Sequence, residues 1–186
     1  MFEDTITAIA TPLGEGGIAI IRISGENAVT IGDSIFQSRS GSKNHLANAK
    51  SHTIHYGYIH LNKKRLDEVM VSVMRAPATF TREDIIEINC HGGIQATKSV
   101  LDAALKSGAR LAVPGEFTKR AFLHGRIDLT QAEAVSDLIN ARTSMALSAA
   151  NEQLEGKLSQ RINQLRDDTM HVLAHVEAHI DFPDED

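Results

Sequence analysis

The chain has 186 residues, 42% of them hydrophobic, enough for a sizeable core in one or two domains. Its formal net charge of −5 excludes a bulk basic surface for nucleic acid or membrane. One cysteine, Cys90, forbids an intramolecular disulfide, and neither a basic signal peptide nor a membrane-length apolar run is present, so a cytoplasmic protein without a membrane partner is expected.

In chain order, Asp4–Thr11 and Gly17–Ser24 read as strands, rich in β-branched residues and separated by Pro12 and the glycine loop Gly14-Glu15-Gly16-Gly17. A phosphate loop follows a strand and opens a helix; here the glycines precede a strand, so the order argues against nucleotide phosphates. Glu26–Phe36 has helical spacing at Val29, Gly32, Ile35 and Phe36, with Ser24 as a candidate cap. Gln37–Lys50 is polar and reads as an exposed loop. Ser51–His60 and Asp67–Arg75 form a predicted hairpin, and Glu83–Cys90 a further strand. His91-Gly92-Gly93 turns into a helix from Ile94 with Ile94, Leu101, Ala104 and Leu105 on one face and Gly108 as C-cap. A last short strand at Ala109–Val113 precedes the Pro114-Gly115 turn.

Beyond Gly115 the pattern is helical: a short helix to Gly125, then a long one opened by a capping box with Thr130 as N-cap and Glu133 three residues on. Its apolar stripe runs through Leu138, Met145, Ala149 and Leu154 to a break at Gly156. A second long helix carries Leu158, Ile162, Leu165, Val172, Val176 and Ile180 on one face and stops near Pro183. Two such helices do not complete a bundle core, so an incomplete helical part or an obligate oligomer is expected. The fold class is therefore α+β, a mixed sheet with packed helices in residues 1–118, followed by part of a helical bundle in 119–186.

Arg22 and Glu87 interrupt apolar strands. Alternation puts Arg22 on a face with Ile18, Ile20 and Ser24, and Glu87 with Ile85 and Asn89. Each is either on an ordinary solvated face or in a ligand site, where a carboxylate accepts parallel N–H bonds from an amidine-like edge and arginine grips a carboxylate. Cys90 reads as a small buried group rather than a nucleophile. His171, His175 and His179 recur on one helical face; without accompanying cysteines or an HExxH they read as a polar face, and no metal ligand is assigned. Lys119, Arg120 and Arg126 fit an anion site or a solvated surface equally well. Around Gly156-Lys157 a phosphate-loop motif would need glycine at Asn151 and serine or threonine at Leu158, so no GxxxxGK[ST] loop exists in these residues.

The stretches DTITAIATPLGEGGIAIIRISG, APATFTREDIIEINCHGG, GARLAVPGEFTKRAFLHGRIDLTQAEAVSDLINA and VEAHIDFPDED closely resemble the N-terminal part of the MnmE (TrmE) tRNA-modification GTPases. The resemblance implies a 5-formyl- or methylene-tetrahydrofolate-binding α/β domain that forms a homodimer, then a helical domain interrupted by a GTPase domain. GTP, Mg2+ and K+ would act only through that GTPase domain, so this chain alone is expected to hydrolyse no GTP. With an FAD-dependent partner, MnmG (GidA), such proteins modify the wobble uridine of tRNA. Matching the motifs residue by residue assigns folate contacts to Arg22 in IIRISG, Glu87 in EDIIEI and Arg126 in GRIDL, and no catalytic residue to this chain. Leu13, Arg82 and His124 depart from the family pattern, with proline, glycine and asparagine common there; Arg82 puts the shape of the Ala76–Asp84 loop in question. The alternatives are a stand-alone folate-dependent one-carbon transferase, with Asp128 or His91 as acid or base, and a helical adaptor.

Overall fold

The structure, a computed structural model, describes residues 4–41 and 45–181. The expected helix stop at Pro183 lies outside the described residues. The chain divides into two compact units, Met1–Arg126 and Ile127–Asp186.

In the first unit a mixed seven-stranded sheet has the order β3-β4-β5-β6-β2-β1-β7. The strands are β1 (Ile6–Ile9), β2 (Ala19–Ser24), β3 (Phe36–Ser38), β4 (Thr53–Leu61), β5 (Lys64–Met74), β6 (Ile85–Cys90) and β7 (Arg110–Leu111). Every pairing is antiparallel except that of β1 with β7. The β4–β5 hairpin turns at Asn62-Lys63, both at positive φ, the two-residue geometry that suits the twist of a hairpin.

Helices α1 (Ala28–Ile35) and α2 (Ile94–Lys106) cover one sheet face. Their buried residues join Ile21, Ile23, Val69, Val71, Val73, Ile86 and Ile88, which alternation turns to the same side, in one apolar core. Ser24 does not cap α1; the N-cap is Asn27. The buried stripe of α2 is Thr97, Val100, Ala103 and Ala104, while Ile94 is exposed and Leu101 and Leu105 flank the stripe. Small residues at the contact line let the helix axis approach the sheet, so the leucines are displaced sideways. The polar Gln37–Lys50 segment is not wholly an exposed loop: it contributes most of β3 and fully buries Leu46, whose N–H donates to Asp33 Oδ1 at 2.6 Å.

Helix α3 (Glu116–Leu123) belongs to the first unit, so the division falls after the 118/119 boundary expected from composition. The physical reason is Arg120, which α3 buries completely against partners from the N-terminus and the β5–β6 loop.

In the second unit α4 (Leu129–Asn140), α5 (Ser144–Leu154) and α6 (Lys157–Asp181) follow. The N-cap of α4 is Asp128, not Thr130: its carboxylate accepts from the Gln131 N–H while the Gln131 side chain accepts from the Asp128 N–H. The helix expected to run unbroken to Gly156 stops at Asn140, and Thr143 caps a new one by accepting from the Ala146 N–H. The break at Gly156 is present. The apolar stripe of α6 is exposed, and none of its residues is buried.

Candidate functional site

The sheet face away from α1 and α2 carries the charges. Register places Arg22 on β2 directly opposite Glu87 on β6. Arg22 Nε donates to Glu87 Oε1 at 2.7 Å, and Nη2 lies 2.7 Å from the same oxygen. Both side chains are partly open to solvent, at 31% and 22% exposure. The ring of Phe117, on α3, lies with its centroid 5.5 Å from Arg22 Cζ, a cation–π contact that helps hold the guanidinium. Glu87 Oε2 and Arg22 Nη1 have no protein partner among the described residues. The pair therefore presents an open acceptor and an open donor on two strands rich in isoleucine.

A buried polar network lies beside it. Ser24, two residues on from Arg22 and on the same face, donates to Glu83 Oε2 at 2.7 Å and shares a hydrogen bond with Thr81. Glu83 Oε1 pairs with Arg120 Nη1 at 2.9 Å; Arg120 also pairs with Asp4 at 2.7 Å and Glu116 at 3.2 Å. Arg120 is thus enclosed by three carboxylates and is neither an anion site nor a surface charge. Burial disfavours its charge, but Glu83, Glu116 and Asp4 outweigh this and hold its pKa above the ordinary value. Glu116 accepts from Arg110 at 2.6 and 3.1 Å, which holds its carboxyl at about 2 despite burial.

Arg126 is exposed, with Cζ 5.1 Å from the centroid of Phe80. The structure brings Arg22 and Glu87 together and pairs Arg126 with neither. What ties the Arg126 segment to the β5–β6 loop is a clasp of two residues that depart from the family pattern. Arg82 Nη1 donates to the His124 carbonyl at 3.1 Å, and His124 Nδ1 donates to the Thr81 carbonyl at 2.6 Å. Arg82 has φ +59°, so the backbone takes the left-handed conformation a glycine would take there.

Cys90 is buried and burial pushes its thiol up to about 11, which leaves almost no thiolate at neutral pH. Gly92 is required by close approach: a Cβ there would lie 2.4 Å from the Gly16 carbonyl oxygen, so the opening glycine loop rests on the turn before α2. Asp128 is occupied as a helix cap; burial raises its pKa, but hydrogen bonds from Ser159, Gln131 and Thr130 prevail and lower it, so it is not a free acid or base. His171, His175 and His179 lie exposed on α6, and among the described residues no three His, Cys, Asp or Glu side chains are grouped to hold a metal ion. No described helix is long and apolar enough to cross a membrane. Sequence reasoning missed Phe117, whose only signal is its spacing three residues before Arg120 on a short helix.

Residues 5–126 match the family model described as GTP-binding protein TrmE N-terminus, and residues 129–186 match that of the MnmE helical domain. Similar curated proteins include the tRNA modification GTPase MnmE of Bacillus velezensis, 58% identical over 185 residues, and that of Geobacillus kaustophilus, 59% identical over 185 residues. The same protein of Bacillus subtilis is 57% identical over 185 residues. Each alignment covers 98% of this chain and 40% of the relative, so the chain spans about two fifths of the length of the proteins it matches. With a mixed sheet over the first matched segment and helices over the second, the chain belongs to the TrmE N-terminal family and corresponds to the N-terminal part of the MnmE tRNA-modification GTPases.

Proposed function

We propose that the first unit binds a 5-formyl- or methylene-tetrahydrofolate at Arg22 and Glu87, with Arg126 as a third contact. The observation that carries the reading is the half-used ion pair. A carboxylate has about four lone-pair positions, and Glu87 spends only Oε1 on Arg22. Its remaining positions suit the parallel N–H donors of a pterin amino–imide edge, and Arg22 Nη1 suits the neighbouring carbonyl oxygen. Arg126, without an ion pair among the described residues and seated on Phe80, suits a ligand carboxylate. The bound folate would supply a one-carbon unit; this chain's residues bind and orient it.

In the whole protein we place this unit as a homodimerisation module. It would serve wobble-uridine modification of tRNA with the FAD-dependent MnmG partner, and GTP, Mg2+ and K+ would act in a separate GTPase domain.

The test is calorimetric titration of 5-formyltetrahydrofolate into the wild-type chain and Glu87→Ala. Two charge-assisted hydrogen bonds contribute roughly 3–6 kcal/mol, so the variant should bind about two to four powers of ten more weakly. A partly exposed ion pair contributes about 1 kcal/mol or less to folding, so the melting curve should hardly move. Unchanged affinity in Glu87→Ala defeats the assignment.

A further inference from the structure

Of the nine histidines in the chain, six lie in the first unit, and each has a neighbour there. His45 and His55 bond to one another, His52 to Ser51, His91 to Asp67 and His124 to the Thr81 carbonyl, while His60 lies edge-on to the Tyr58 ring. The other three, His171, His175 and His179, stand exposed on α6 with no side-chain partner among the described residues.

Their placement is regular. α6 is one helix of 25 residues and has no glycine or proline between His171 and His179. Steps of four residues put successive imidazoles on adjacent turns, with Cβ atoms about 5–6 Å apart. Two imidazoles so placed reach one metal ion, the same pairing that holds zinc on an HExxH helix. His171 and His179 are about 12 Å apart along the axis and cannot share an ion. His175 therefore serves either pair, and the ladder takes one ion in two alternative registers.

The surrounding charge favours a cation. From Asp167 to the end of α6 the acidic residues Asp167, Asp168, Glu177 and Asp181 occur without a lysine or arginine, and only Asp167 has an ion pair among the described residues. His179 also lies in the last helical turn, at the negative end of the backbone dipole. Imidazole suits zinc, nickel and copper, whereas magnesium and calcium take oxygen ligands. Val172 and Val176 occupy the positions where HExxH carries its glutamate, so the set can bind an ion but supplies no general base. No residue of α6 is buried, so its last turns draw no support from packing within the described residues.

We propose that the histidine ladder of α6 is a two-imidazole chelate for one divalent transition-metal ion, centred on His175, and that the bound ion clamps the last turns of the helix. The test is calorimetric titration of zinc chloride into the whole chain, with magnesium chloride as control. Wild type should bind one more Zn2+ than His175→Ala, because the six histidines of the first unit are common to both. Without a second imidazole at high effective concentration, His175→Ala should hold that ion about a hundredfold more weakly. His171→Ala and His179→Ala each keep one register and should bind about twofold more weakly; the double variant should match His175→Ala. The side chains are exposed, so circular dichroism should show the fold kept. Amide exchange supplies a second readout: with free Zn2+ at about 100 times Kd, exchange from His175 to His179 should slow by up to about a hundredfold. Equal zinc binding by wild type and His175→Ala overturns the site, and so does displacement of zinc by equimolar magnesium. Zinc binding that depends on His175 but leaves exchange from His175 to His179 unchanged overturns the clamp.

Discussion

Replacing Glu116 by glutamine removes one negative charge from the ion network under α3 while keeping the side chain's size. Glu116 accepts two hydrogen bonds from Arg110, one from Arg120 and one from the Val113 N–H. Its pKa in the fold is about 2 against an ordinary 4.5, caused first by Arg110. A carboxyl lowered on folding contributes stability that is complete above the unfolded value and is lost as pH falls toward the folded one. The shift corresponds to about 3 kcal/mol at neutral pH, reduced to about 2 because Arg110 is partly exposed and screened. Between pH 5 and pH 3 about half of that contribution should disappear. Urea unfolding followed by circular dichroism should find Glu116→Gln about 2 kcal/mol less stable than wild type at pH 7 and about 1 kcal/mol less stable at pH 3. A difference below about 0.5 kcal/mol at pH 7, or one that stays constant down to pH 3, refutes the reasoning.

Gly92→Ala should cost about 1–3 kcal/mol by forcing apart two backbone segments, whereas Gly93→Ala, with open space around its Cβ, serves as the control; equal melting temperatures would remove the close-approach argument. At Arg82, glycine relieves a left-handed strain of about 1 kcal/mol and loses one exposed hydrogen bond, so Arg82→Gly should be near neutral while the β-branched Arg82→Val loses at least about 1 kcal/mol; equal urea midpoints would contradict this. Asp128→Ala should destabilise α4 by about 1 kcal/mol, and Thr130→Ala by less; the reverse order in thermal unfolding would restore Thr130 as the cap.

How far the sequence discloses this structure depends on the range of the interaction. Alternation alone gives each residue's neighbours on its own strand, Ile20 and Ser24 for Arg22, Ile85 and Asn89 for Glu87. That Arg22 and Glu87 touch follows from the β2–β6 register, set by pairing across 65 residues, which no local pattern encodes. Burial of Arg120 was illegible for the same reason, because its carboxylates come from positions 4, 83 and 116. The cap of α4 was ambiguous locally: DLTQ and TQAE overlap as capping boxes. The choice is made by Thr130, whose hydroxyl is spent on Asp128 Oδ1 and on Ser159. Leu46 is a lone leucine in a polar stretch and carries no periodic signal, yet it is fully buried. Arg82 was visible as a departure from a glycine pattern, and the positive φ explains why glycine suits that position.

The most direct test of the folate assignment is a crystal structure of this chain with 5-formyltetrahydrofolate. The assignment predicts the pterin amino–imide edge within hydrogen-bond distance of the Glu87 carboxylate, beside Arg22 on the sheet face away from α1 and α2. Ligand density elsewhere, with Glu87 contacting only Arg22, would contradict it.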